Sequence, residues 1–324
     1  MSGNFNHQST ADEVLEGINL QGKRALVTGG ASGIGAETVR ALAAKGAEVI
    51  IAARNQQQAE EVQGSVVAAT GNQNVHIVWL DLASMAKVEA AAQDVAARFD
   101  QLDMLINNAG VMACPYDTTA DGFELQFGSN HLGHFYWTQL LMPLLLQAPS
   151  ARVVALTSMA HRMSPVVFED INYQQRTYEK WQAYGQSKTA NALFAVGLTA
   201  RYADQGVEAF SVHPGAIATP LGRHLSEAEI QQLIDANQTS ANNPEADEGG
   251  IKTVPQGAAT SCYAATAAAL TGKGGAYLED CQIAQVVADD PNFRGGVRDY
   301  AIDPNHAEQL WSVSEELIGQ KQGS

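Results

Sequence analysis

The stretch RALVTGGASGIGAETVRALAAKG, residues 24–46, decides the fold. RALVTGG is a short apolar run of strand type, and residues 35–46 carry apolar side chains at helical spacing. Between them TGGASGIG, residues 28–35, supplies the glycines of a tight turn. Such a turn between a strand and a helix lets the backbone approach a pyrophosphate, which then sits on the positive helix end. Glycine-rich turns are common punctuation, so the weight comes from the neighbours. AEVIIAAR (residues 47–54) and NVHIVWLDL (74–82) read as further strands. NQQQAEEVQGSVVAATG (55–71) and SMAKVEAAAQDVAARFD (84–100) read as helices, the latter opened by an N-cap-like Ser84. LDMLINNAG, ARVVALTSM and VEAFSVHPG continue the strand series, and GGAYLEDCQIA offers a seventh.

Continuously apolar strands alternating with helices imply a parallel sheet covered on both faces. The expected fold class is therefore α/β, a doubly wound parallel sheet of Rossmann type in a single domain. Residues 1–19 read as an N-terminal extension and 20–324 as the domain, with pocket insertions near 159–181 and 221–255. The polar, acidic stretch 231–250 lacks apolar periodicity and reads either as a solvated surface loop or as a mobile lid.

Composition narrows the function classes. The 324 residues are 45% hydrophobic, enough for a core, so disorder is excluded. Nineteen basic against 35 acidic side chains give a net charge of −16. That charge repels phosphate backbones and anionic lipid, which argues against nucleic-acid or membrane-surface partners. Cys114, Cys262 and Cys281 are too scattered for a disulfide framework or a zinc site and read as buried thiols. With neither a signal-peptide pattern nor a long apolar span, the expectation is a soluble, cytoplasmic protein.

The second strand selects the dinucleotide. An acidic residue at its end would read a ribose 2′-hydroxyl, but here Arg54 stands in that place and no acid follows until Glu60. An arginine fork suits a 2′-phosphate, so NADP(H) is expected in preference to NAD(H). Asp81, ending WLDL, could accept from the adenine amino group or simply assist the next helix.

The chemistry is suggested by YGQSK, residues 184–188. Tyr184 and Lys188 stand at i and i+4 and share a helix face. A nearby ammonium and a positive nicotinamide favour the phenolate, lowering the tyrosine pKa and fitting it for proton transfer during hydride transfer. Ser158 ends the fifth strand at the carboxyl edge, where open α/β sheets bind ligands. NNAG, residues 107–110, brings small residues to the same edge, and Asn130 in SNHLGHF falls in the following helix.

Together TGGASGIG, NNAG, Asn130, Ser158, YGQSK and HPG resemble the short-chain dehydrogenase/reductase family, over about residues 20–284. The spacing TGxxxGxG resembles its compact branch. TADEVLEG, NHLGHF, GGAYLEDCQIA and the 26-residue step from Ser158 to Tyr184 resemble the retinol dehydrogenase and WW-domain oxidoreductase group. The resemblance implies Tyr184 as general acid/base, Lys188 as its tuner and a ribose ligand, Ser158 as the polariser of the substrate oxygen, and Asn130 as the holder of a relay water. It implies a cofactor lining of Gly29, Ser32, Gly33, Ile34, Gly35, Arg54, Asp81, Leu82, Asn108, Ala109, Gly110, Pro214, Gly215, Ile217 and Thr219. It implies no metal and leaves a homodimer or homotetramer open; no WW module is expected in this sequence.

Residues 159–181 and 221–233 flank these positions and should wall the substrate pocket. Ala160, Val166, Val167, Phe168, Trp181 and Leu221 would make it apolar, and Arg162, Arg223 and His224 would allow a polar end. Trp79 and Trp137 read as core. His131, His134 and His213 read as packing or hydrogen-bonding residues rather than ligands. The expected partner is a small molecule, and the expected activity an oxidoreductase interconverting a hydrophobic ketone or aldehyde with its alcohol. Reduction of an activated carbon–carbon double bond and non-catalytic nucleotide sensing are the alternatives.

Overall fold

The computed structural model of the protein describes residues 5–241, 250–288 and 295–322. Its strands are β1 (Arg24–Thr28), β2 (Glu48–Ala53), β3 (Val75–Trp79), β4 (Met104–Asn107), β5 (Ala151–Leu156), β6 (Val207–His213), β7 (Tyr277–Glu279) and β8 (Gln282–Ile283). They form one sheet in the order β3-β2-β1-β4-β5-β6-β7-β8. Every pairing is parallel except β7 with β8. The chain reverses its direction of travel across the sheet between β1 and β4, which opens a crevice beyond the carboxyl ends of those strands.

The alternation of side chains along each strand feeds two apolar layers. Leu26, Ile50, Leu105 and Val153 point into one, Val27, Ile51, Ile106 and Val154 into the other. The first layer is closed by α4 (Met85–Arg98), α6 (Gly133–Leu145), α7 (Lys180–Tyr202) and α10 (Pro304–Gln322). The second is closed by α1 (Ala11–Val14), α2 (Gly33–Ala44), α3 (Gln56–Thr70) and α9 (Val254–Thr266). Cys262 and Cys281 are buried in the second layer, and Cys114 is also buried and free. Ahead of β1, Thr10 and Glu13 form a capping box that starts α1, and Ala11, Val14 and Leu15 are buried beside α9.

Three sequence expectations are corrected. Trp79 is not core: it ends an edge strand 45% exposed, with Lys87 above its ring and its indole N–H donating to the Arg54 carbonyl. Trp137, by contrast, is fully buried. Ser84 is the N-cap of α4 as expected, though its hydroxyl makes no capping bond and Asp121 accepts the Met85 amide hydrogen. Residues 231–241 are not a loop but the continuation of α8 (Glu227–Ala241). Ser226 and Glu229 form a reciprocal capping pair at its start. The rest of the acidic stretch, 242–249, lies outside the described residues. The last segment is not a single strand, because it folds back at Asp280 and Cys281, both with positive φ, to add the antiparallel β8.

Candidate active site

The β1–α2 turn is shaped for an anionic ligand. Gly29 and Gly33 have φ of +66° and +51°, which side chains rarely adopt. A Cβ on Gly35 would strike the Gly29 carbonyl and lie 2.5 Å from Asn108 Nδ2. Ser32 is the N-cap of α2, yet its hydroxyl makes no capping bond, so both it and the first-turn amides are available to a phosphate. Thr28 ties this turn to β4: its Oγ1 accepts the amides of Asn108 (2.9 Å) and Ala109 (3.0 Å).

Asn130 lies in a π-helical turn, Gly128–Leu132, between the short α5 (Leu125–Phe127) and α6. Such one-turn insertions commonly mark functional sites. The Asn130 amide is fully engaged: Oδ1 accepts from Val111 N (2.8 Å), and Nδ2 donates to Val111 O and Ser187 Oγ (both 2.9 Å). It thereby joins the NNAG loop to α7. Its carbonyl oxygen is 2.9 Å from His134 Nδ1, which must be the donor. His134 Nε2 is then left to accept the Thr28 hydroxyl at 2.8 Å. Burial holds His134 near pKa 4 and His131 near 3, so both rings are neutral. Among the described residues no cluster of His, Cys, Asp or Glu could hold a metal.

Tyr184 and Lys188 share the inward face of α7. Ser158, just beyond the end of β5, accepts the Ala160 amide at 3.1 Å and stands near enough to the Tyr184 phenol to favour its ionised form. The Lys188 ammonium donates to Leu156 O at 3.0 Å and stands 5.6 Å from the Tyr184 ring centre. Without a nicotinamide beside them, burial works against the charge on both groups. Burial pushes Tyr184 up to about 12 against the lowering effect of Ser158, and burial brings Lys188 down to about 8.

One cleft of about 1320 Å³ joins these parts. It is lined by Gly29, Ser32, Gly33, Ile34, Gly35, Arg54, Asp81, Leu82, Asn108, Ala109, Gly110, Ser158, Tyr184, Lys188, Pro214, Gly215, Ile217 and Thr219. Asn130 stands just behind that lining. Arg54 is exposed at the end of β2, while Asp81 pairs with Lys87 at 3.0 Å and accepts from Ala83 N. A glycine-free cradle would close the space in which a dinucleotide pyrophosphate fits, and the residues present suit that group.

Ala160, Trp181 and Leu221 line the same cleft, as do Arg223 and His224. Val166, Val167, Phe168 and Arg162 do not line it. Val166 is buried in the core layer, and it and Phe168 border a separate 320 Å³ hollow with Tyr300 and His306. The 3-10 turn after Ser158 carries residues 165–168 away from Tyr184. The two expected segments do wall the cleft, through Met159 and Met163 and through Ile230 and Leu233 of α8, while Met112 and Ile234 add wall that sequence reasoning missed. The Ser226–Glu229 capping signal marks where that helix starts. Also missed was Lys252, whose amide donates to Ala216 O at 2.8 Å and whose ammonium pairs with Asp280 beside Gly215.

The family model for short chain dehydrogenase matches residues 23–230. A Streptomyces lividans protein described as "Probable oxidoreductase" is 43% identical over 308 residues, covering 93% of this chain and 99% of its own. Retinol dehydrogenase 11 of Mus musculus is 39% identical over 303 residues, covering 93% and 88% respectively. The solved Pseudomonas aeruginosa RhlG/NADP active-site complex superposes with a TM-score of 0.63 at 26% identity, covering 80% of this chain and 95% of that one. Fold, cleft and sequence kinship agree, and the chain belongs to the short-chain dehydrogenase family of oxidoreductases.

Proposed function

We propose that the protein transfers a hydride between NADP(H) and a hydrophobic ketone, aldehyde or secondary alcohol. The observation that carries this reading is that Ser158, Tyr184 and Lys188 line the cleft that also contains the glycine cradle. When bound, the reduced nicotinamide supplies the hydride to the carbonyl carbon. Tyr184, a neutral phenol in the ligand-free site, donates its proton to the carbonyl oxygen, and Ser158 donates a hydrogen bond to that same oxygen. Lys188 offsets the charge left on the phenolate. Alcohol oxidation reverses each transfer.

Arg54 supports NADP(H), because its guanidinium is the exposed cation at the end of β2 where a 2′-phosphate would lie. The RhlG complex with NADP supports the same choice by kinship. Apolar side chains on three sides, Met112, Trp181 and Ile230 among them, support a hydrophobic substrate.

Fluorescence titration with NADPH and NADH, followed by a panel of ketones, aldehydes and enones, tests the reading. The expected result is tighter NADPH binding and carbonyl turnover. Arg54→Ala should weaken NADPH by roughly tenfold or more, the scale of a lost charge-assisted pair, and leave NADH unchanged. A preference for NADH would overturn the cofactor assignment. Turnover confined to enones would replace carbonyl reduction with double-bond reduction.

A further inference from the structure

Ser158 and Met159 share one peptide unit, and a buried histidine ring holds each of its polar ends. His161 Nδ1 lies 2.8 Å from the Ser158 carbonyl oxygen, which also accepts the His161 amide at 3.0 Å. The Met159 amide donates to His213 Nδ1 at 3.3 Å. A carbonyl only accepts and an amide N–H only donates, so these partners assign the ring protons. The Arg298 amide donates to His161 Nε2 at 3.1 Å, which leaves the His161 proton on Nδ1, facing Ser158. The Tyr277 hydroxyl also approaches that nitrogen, at 3.3 Å. His213 accepts at Nδ1 and therefore carries its proton on Nε2. The two rings are opposite tautomers acting on the same peptide.

Both rings are buried, and burial lowers both pKa values far below the usual histidine value. Arg162 and Arg298 add to this at His161, as Lys252 does at His213. His161 is itself anchored, because its carbonyl accepts Thr189 Oγ1 (3.0 Å), next to Lys188, and Tyr300 Oη (2.7 Å). The Ser158 backbone, with φ −160° and ψ 157°, sets the direction in which its hydroxyl leaves β5.

We propose that His161 and His213 are positioning residues: a pair of neutral rings of opposite tautomer that locks the Ser158–Met159 peptide and so aims the Ser158 hydroxyl at Tyr184. The kinetic consequence rests on the proposed carbonyl chemistry, whereas the ring assignment rests on geometry alone.

Two measurements on the full chain keep those apart. Long-range proton–nitrogen NMR of protein carrying 15N-histidine should show His161 protonated at Nδ1 and His213 at Nε2, neither titrating between pH 5.5 and 8.5. The opposite tautomer at either ring, or titration near 6.5, would overturn the proposal even if no carbonyl substrate were turned over. In kinetics, His161→Leu and His213→Leu should each lower kcat by about 10–100-fold, the scale of a roughly 1 Å misplacement. KM and NADPH affinity should stay within about twofold. His161→Asn and His213→Asn keep a donor and an acceptor near the Nδ1 position and should recover kcat to within a few-fold. The double leucine variant should be no slower than the slower single by more than about twofold, because both rings act on one peptide. Unchanged kcat in the leucine variants, asparagine variants as slow as leucine ones, or multiplicative losses would each refute the lock.

Discussion

Tyr184 and Lys188 reach the cleft with burial working against the charge on each. The phenol is raised to about 12 and the ammonium lowered to about 8, so the ligand-free site holds a proton ready to donate. Tyr184→Phe should therefore cut kcat by about 1000-fold or more, within the range attributed to a positioned acid. NADPH affinity should stay within about twofold by fluorescence titration; near-native turnover would sink the acid role. The residue types and spacing of this group were legible in the sequence, since the YGQSK spacing dictates a shared helix face. The burial that raises the tyrosine was not. It depends on how deeply α7 sinks beneath the 3-10 turn after Ser158, which no local pattern encodes. The same limit explains Val166 and Phe168: they are near Ser158 in sequence, but the turn at Met159–Met163 sends them to the far side of α7.

Elements pack so closely around the candidate site that single methyl groups decide their spacing. A Cβ on Gly185 of α7 would come within 2.6 Å of the Ala160 carbonyl. Gly185→Ala should push the Ser158 turn off α7, costing about 1–3 kcal/mol by overpacking, with kcat falling more than cofactor affinity. Urea melts and steady-state kinetics on the same preparation check this, and an unshifted midpoint with native kcat would refute it. At this scale the alternation of strands and helices was readable because fully buried parallel strands leave continuous apolar runs. The helical character of residues 221–233 was legible too, but the continuation of α8 to Ala241 was not, because that half is polar and acidic and its composition reads as loop. Glu229 also pairs with Lys180 at the start of α7, and with Ser226 this holds its carboxylate down to about 2. Lys180→Ala removes that tie between the two walls of the cleft. It should raise KM for a bulky substrate while leaving NADPH affinity unchanged, as titration and initial rates would show.

Across the whole molecule, four buried histidines set the response to acid. Burial lowers His131 and His213 to about 3 and His134 and His161 to about 4, while in the unfolded chain each would titrate near 6.5. Below 6.5 the unfolded chain binds protons that the native state refuses, so stability is present above that pH and is lost as pH falls towards 4. The slope approaches ~1.4 kcal/mol per pH unit per ring once pH is well below 6.5. Urea midpoints from pH 7 to 5 should fall accordingly, and His131→Leu, away from the cleft, should flatten the decline; a flat native profile would contradict it. Between turnovers the softened Lys188 carries a different consequence. An amine titrating near 8 is partly unprotonated at neutral pH and is an electrophile's target. An aldehyde entering ahead of the dinucleotide can condense with that nitrogen, losing water to form an imine that occupies the pocket. Under the proposed aldehyde chemistry, order of arrival would then act as a safeguard, because a cradle filled first would keep the carbonyl from the amine.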